Sequence, residues 1–132
     1  MNDLRYLALS VFLTWAMLMT ASLLRAKAWS PAGLMVAFGN RDNVPDGSGA
    51  VARADRAAKN MLEGLLLFAC ALTASRLSGA TAAELTAGAS LFFWARVVYA
   101  FVYYAGVPFL RTAVWGVSMA GVVMVALPTF SR

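Results

Sequence analysis

From Tyr6 to Leu24 the chain runs nineteen residues without a charge, and from Thr112 to Thr129 another eighteen. A helix crosses the ~30 Å hydrocarbon core of a bilayer with about 20 mainly apolar residues. Lipid offers no hydrogen bonds, so a crossing segment must satisfy its own backbone, as a helix or inside a closed barrel. A barrel strand would alternate apolar and polar residues with period two, and these runs do not. The expected fold is therefore an all-α integral membrane protein. Composition agrees: 61% of the 132 residues are hydrophobic and 13% charged, against roughly 45–50% and ~25% in a soluble domain.

Two more spans lie between these runs. One begins near Ala50 and ends at Ser78-Gly79. The next begins near Thr81, where Thr81-Ala82-Ala83-Glu84 has the pattern of a capping box, and runs to about Ala105. Gly106-Val107-Pro108 reads as a tight turn, with Pro108 suited to the first turn of the following helix. The sequence predicts a single four-transmembrane-helix bundle over residues 1–132, with helices near 4–28, 50–77, 81–105 and 108–130. A loop is expected at 29–49, where Gly39-Asn40-Arg41-Asp42-Asn43 and Pro45-Asp46-Gly47 are turn formers. Ala26-Lys27-Ala28 loosely resembles a signal-cleavage site. However, the first apolar run is longer than a signal core and its positive charges follow it, so it reads as a retained helix.

Arg25, Lys27, Arg41, Arg53, Arg56 and Lys59 flank or occupy the first loop, whereas the second loop has only Arg76 nearby. The positive-inside rule then places the first loop and the third turn in the cytoplasm and both termini outside. The net charge of +5 is explained by orientation. No basic stripe with interleaved aromatics suggests nucleic acid. Without histidine, histidine-ligated haem, most zinc sites and a histidine base are excluded, and no metal is expected. The single cysteine, Cys70, lies in an apolar run and reads as a packing or lipid-facing residue.

The second span carries Arg56, Asn60 and Glu63 at relative positions 0, +4 and +7, on one helix face. The third carries Arg96, Tyr99 and Tyr103 at 0, +3 and +7, and the fourth begins with Arg111, followed by Trp115 on the same face. All fall in one leaflet. A charge at the centre of a span costs roughly 2.5–3.5 kcal/mol on the gentlest scale, so Glu63, Arg96 and Arg111 must face one another, water or a ligand. Structural alternatives exist. Glu63 and Arg96 could form a buried ion pair locking two helices, and the tyrosines could be interfacial belt residues. Arg53 and Lys59 could be ordinary orienting charges, and Asp55 a charge favoured by the helix dipole. Arg56 with Asn60 and Glu63 is less easily structural. An amide one turn from each of two opposite charges suits a zwitterionic or anionic ligand.

The ordered set Arg53-x-x-Arg56-x-x-x-Asn60-x-x-Glu63, Arg96-x-x-Tyr99-x-x-x-Tyr103 and Pro108-x-x-Arg111 resembles the MAPEG family, the membrane-associated proteins in eicosanoid and glutathione metabolism. The stretches around Phe38–Asp42 and Trp94–Pro108 resemble its bacterial branch, close to the microsomal glutathione transferases. The resemblance covers nearly the whole chain. It implies a homotrimer in a bacterial inner membrane, taking glutathione as co-substrate near the cytoplasmic leaflet between neighbouring subunits. By matching position, Arg56, Asn60 and Glu63 would bind the tripeptide from one subunit, and Tyr99 and Tyr103 would reach it from the neighbour. Arg53 and Arg56 would meet its carboxylates, Glu63 its amino group, and Arg96 stands in the same motif. Arg111 matches the arginine that holds the thiol as thiolate for attack on a lipophilic electrophile arriving from the membrane lipid.

The chain departs from the family pattern at Gly64, where several eicosanoid-forming members have tyrosine, and at Trp115, where some have tyrosine. The expected function is a membrane glutathione transferase or peroxidase. The alternative is a non-catalytic lipid-binding or scaffold member of the same fold. A third, a small proton-coupled exporter, fits less well, because two arginines near Glu63 would hold it ionised.

Overall fold

The computed structural model describes residues 1–40, 44 and 47–131. Arg41, Asp42, Asn43, Pro45 and Asp46, named above as turn formers or a loop charge, lie outside the described residues, as does Arg132. The described residues form five α-helices and a closing 3₁₀ turn: α1 Asp3–Ala26, α2 Pro31–Phe38, α3 Ala50–Leu77, α4 Ala82–Ala105 and α5 Pro108–Ala126, then Leu127–Phe130. Four are long and apolar enough to cross a membrane. The fifth, α2, corrects the expectation of a continuous loop over 29–49. Ser30 caps it, its hydroxyl accepting from Gly33 N–H, and Pro31 opens its first turn.

Local chemistry sets the helix ends. Asn2 caps α1 by accepting from Arg5 N–H at 3.1 Å. Lys27 closes that helix in the left-handed region, φ 50°. At α4 the capping box forms: the Glu84 carboxylate accepts from Thr81 N–H at 2.7 Å while Glu84 N–H donates back to the threonine hydroxyl. Gly106, at φ 78°, turns the chain out of α4 and Pro108 starts α5.

α1 packs on α3 and α4, α4 lies along α5, and α3 touches both α4 and α5. The buried core is built from Met17, Met61, Phe68, Leu72, Leu85 and Phe92 with alanines between them. Helices α4 and α5 meet at Gly88 and Gly121. A Cβ on Gly121 would lie 2.7 Å from the Phe92 nitrogen and 2.8 Å from the Gly88 carbonyl. Only hydrogen atoms fit between the backbones there, as in other membrane helix pairs that cross on small residues. Gly116, on the same helix, faces open space.

The outward surface is apolar, with Phe12, Trp15, Leu66, Trp94 and Phe101 more than half exposed. Cys70 is exposed on it. In water such a surface would drive aggregation; in a bilayer it faces a solvent of its own polarity.

Two sets of polar contacts fasten the end that holds the N-terminus and the α3–α4 turn. Arg76 grips Asp3 with two bonds of 2.7 Å, and the Asp3 side chain is fully buried. The Ser75 hydroxyl bonds the Val125 carbonyl at 2.6 Å and the Thr129 hydroxyl at 2.7 Å. At the opposite end Arg25 pairs with Asp55, joining α1 to α3. Asp55, read above as a charge favoured by the helix dipole, is also an ion-pair partner.

Candidate functional site

The helical spacing of the polar residues brings them together as the sequence suggests. Arg56, Asn60, Glu63, Tyr99, Tyr103 and Arg111 line one cavity of about 400 Å³ between α3, α4 and α5. Lys59, Thr112 and Trp115 complete its wall. Lys59 stands three residues after Arg56 and four before Glu63, so the spacing that identified the others already included it. Thr112 carries no chemical signal of its own; its place follows from Arg111 beside it.

A second cavity, of about 690 Å³, lies on the other side of Lys59, against α1. It is larger, but its Arg25 and Asp55 already satisfy each other. The first has the converging, unmatched charges that mark a ligand site.

The resemblance implied that Tyr99 and Tyr103 would reach the ligand from a neighbouring subunit; within one chain the two tyrosines also line the cavity with Arg56, Asn60 and Glu63.

A stacked column runs along α4 from the cavity into the bundle. The Arg111 guanidinium carbon is 4.8 Å from the Tyr103 ring centre. Tyr103 meets Tyr99 edge-on at 5.3 Å. The Arg96 guanidinium lies 5.2 Å from Tyr99 and 5.4 Å from Phe92. Phe92 stacks on Phe68 of α3 at 4.3 Å. Residues 92, 96, 99 and 103 share one face at helical spacing, and their alternation of rings and cations gives each guanidinium a face to rest on.

Two expected site residues stand apart from the cavity wall. Arg53 packs across Gly106, its Nε 3.5 Å from where a Cβ would stand. There its charge faces the carbonyl end of α4, which favours a cation. Arg96 is fully buried. It does not form the ion pair with Glu63 considered above. Instead its Nη1 donates to Asn60 Oδ1 at 2.7 Å, while its Nε and Nη2 have no hydrogen-bond partner. The space it occupies is opened by Gly64, since a Cβ there would lie 2.1 Å from Nη2 and 2.6 Å from the guanidinium carbon. The departure at Gly64 is thus a packing requirement of Arg96, which sequence reasoning missed.

Among the described residues no group of three or more His, Cys, Asp or Glu is placed to hold a metal. The residues of the cavity wall suit a small charged organic ligand: three cations, one carboxylate, an amide, two phenols, a threonine and a tryptophan. The MAPEG family model matches residues 4–130 of the chain. No curated protein and no solved structure gives a significant match.

Proposed function

Since the chain belongs to the MAPEG family, which includes glutathione transferases, we propose that it is a membrane glutathione transferase whose co-substrate binds in the cavity between α3, α4 and α5. The observation that carries this reading is the charge of the wall. Arg56, Lys59 and Arg111 face a single carboxylate, Glu63, leaving a surplus of two positive charges. Glutathione in its thiolate form has two carboxylates, one thiolate and one ammonium, and so the complementary net charge. In this reading Glu63 accepts from the ammonium, Arg56 and Lys59 meet carboxylates, and Arg111 faces the sulfur. Tyr99 and Tyr103 bound the site along α4.

A free thiol ionises near pKa ~8.5, and an adjacent cation in a partly desolvated site lowers that value. Arginine suits the role because it keeps its proton when buried. The thiol proton leaves to water and the sulfur lone pair forms a bond to the electrophilic carbon. The displaced group departs with its bonding electrons. With a hydroperoxide, sulfur attacks the terminal oxygen, the alkoxide leaves and takes a proton, and a second glutathione converts the sulfenic acid to disulfide and water. The electrophile reaches the sulfur from the lipid phase, so only molecules that partition into the bilayer are abundant there.

The same reading includes a homotrimer in a bacterial inner membrane. The end carrying Arg25, Lys27, Arg53, Arg56 and Lys59 would face the cytoplasm, the orientation favoured by positive charge, with both termini outside. The test is an ultraviolet difference spectrum of the detergent-purified protein titrated with glutathione at neutral pH. Saturable thiolate absorbance is the expected result. Binding without thiolate absorbance would assign the cavity to a non-catalytic, ligand-binding role, and absence of binding would overturn the reading.

A further inference from the structure

Arg96 is a full charge inside the bundle that the chemistry above leaves without a task. It is wholly buried and forms no ion pair among the described residues. Nor does it touch the cavity. Two of its nitrogens have no partner, a costly state for a polar group in a low-dielectric interior. Its one directed bond goes to the amide oxygen of Asn60, and Asn60 does line the cavity.

We propose that Arg96 is a positioning residue that fixes the Asn60 amide, so that the cavity presents an N–H donor at this point and selects a ligand with a carboxylate or carbonyl oxygen there. A guanidinium has donors only. It must therefore meet the amide oxygen, because a flipped amide would set N–H against N–H. With Oδ1 held by Arg96, Nδ2 is the group left for the cavity. Glu63, one turn further along α3, offers only acceptors when ionised. The α3 wall thus presents a donor and an acceptor in fixed order, matching a ligand with carboxylate or carbonyl and ammonium groups at neighbouring positions.

Gly64 belongs to the same device. The guanidinium edge carrying the two unpartnered nitrogens lies against its backbone, with Nη2 at 2.1 Å and Nε at 3.1 Å from a hypothetical Cβ. Any side chain at this position displaces the guanidinium and releases the amide. Arg96 is further held between the Phe92 and Tyr99 rings, so it has one seat.

The inference rests on the glutathione reading for its probe, and calorimetric titration of the detergent-purified protein with glutathione tests it. Arg96→Met is expected to weaken binding about tenfold, the value of one oriented hydrogen bond. It should leave the melting temperature unchanged or higher, because an apolar side chain replaces a buried, incompletely bonded charge. Asn60→Leu should weaken binding similarly. The double variant should be no weaker than Asn60→Leu alone, since Arg96 acts through the amide. Gly64→Ala, which keeps the charge but moves it, should reproduce the loss. Unchanged affinity in Arg96→Met, a fall in melting temperature as the sole effect, or losses that multiply in the double variant would overturn the role of Arg96 while leaving the glutathione reading intact. Absence of glutathione binding by the unaltered protein would remove both.

Discussion

The guanidinium of Arg111, on α5, rests over the ring of Tyr103, on α4, at 4.8 Å. The two residues face each other across the turn that joins their helices. The contact fixes where the α5 cation stands in the cavity, because a guanidinium over an aromatic face gains electrostatic attraction and loses torsional freedom. Arg111 is only partly buried, so its positive charge remains available to a ligand.

Removing that charge should remove the activated thiolate. Arg111→Ala is expected to abolish the thiolate absorbance and to lower conjugation by about 100-fold or more, the range for losing one donor to a developing anion. The melting temperature should change little, since the side chain is not part of the core. Unaltered turnover would show that the sulfur is activated elsewhere.

The ring beneath Arg111 can be tested separately from its hydroxyl. Tyr103→Phe retains the aromatic face and should keep glutathione affinity within about threefold, a change of less than ~1 kcal/mol. Tyr103→Leu removes the face and should lose a further ~0.5–2 kcal/mol of positioning. Equal losses in the two variants would instead place the effect in the phenol hydroxyl.

Asp3 and Arg76 form the tightest ion pair at the other end of the bundle, with the carboxylate fully buried. Breaking a wholly buried pair costs roughly 3–5 kcal/mol. Arg76 retains about a third of its side-chain exposure, so Asp3→Ala should cost about 2 kcal/mol after that discount for water. Denaturation in detergent would read this. Glutathione affinity should be unchanged, because the pair joins the start of α1 to the end of α3, at the opposite end of the bundle from the cavity.

Gly121→Val should be among the most damaging apolar substitutions. Its branched side chain would be driven into the Phe92 backbone and the Gly88 carbonyl. Overpacking typically costs about 1–3 kcal/mol, and more where backbone must move. Gly116→Ala, five residues earlier on the same helix and facing open space, is the matched control and should be neutral or slightly stabilising. Similar melting temperatures for the two would remove the crossing from the account.

The four spans were legible because lipid imposes a length and a polarity that few other segments share, and Thr81, Gly106 and Pro108 marked helix ends by local chemistry alone. The faces bearing Arg56, Asn60, Glu63, Tyr99 and Tyr103 were legible for the same reason, since helical spacing is a property of one segment. What one segment cannot reveal is the rotation and depth of its neighbour. Arg96 was open to pairing with Glu63, but the structure turns it toward Asn60, a choice set by how α3 and α4 roll against each other. Gly64 looked like a lost contact and proved to be room for a guanidinium. Asp3 and Arg76, 73 residues apart, carry no sequence signal of pairing. The short helix α2 was obscured by the turn formers that follow it, although Ser30-Pro31 is a readable start.

The glycine crossing also makes a lever of the α4–α5 pair. Ten residues separate Gly121 from Arg111, an arm of about 15 Å at the helical rise. With the backbones touching at the pivot, a tilt of about 5° around it carries the far end of α5 by more than about 1 Å along such an arm. A displacement of that size at a reacting centre can cost about 100-fold in rate. The position of the Arg111 charge is therefore governed in part by two residues without side chains, Gly88 and Gly121, well away from it.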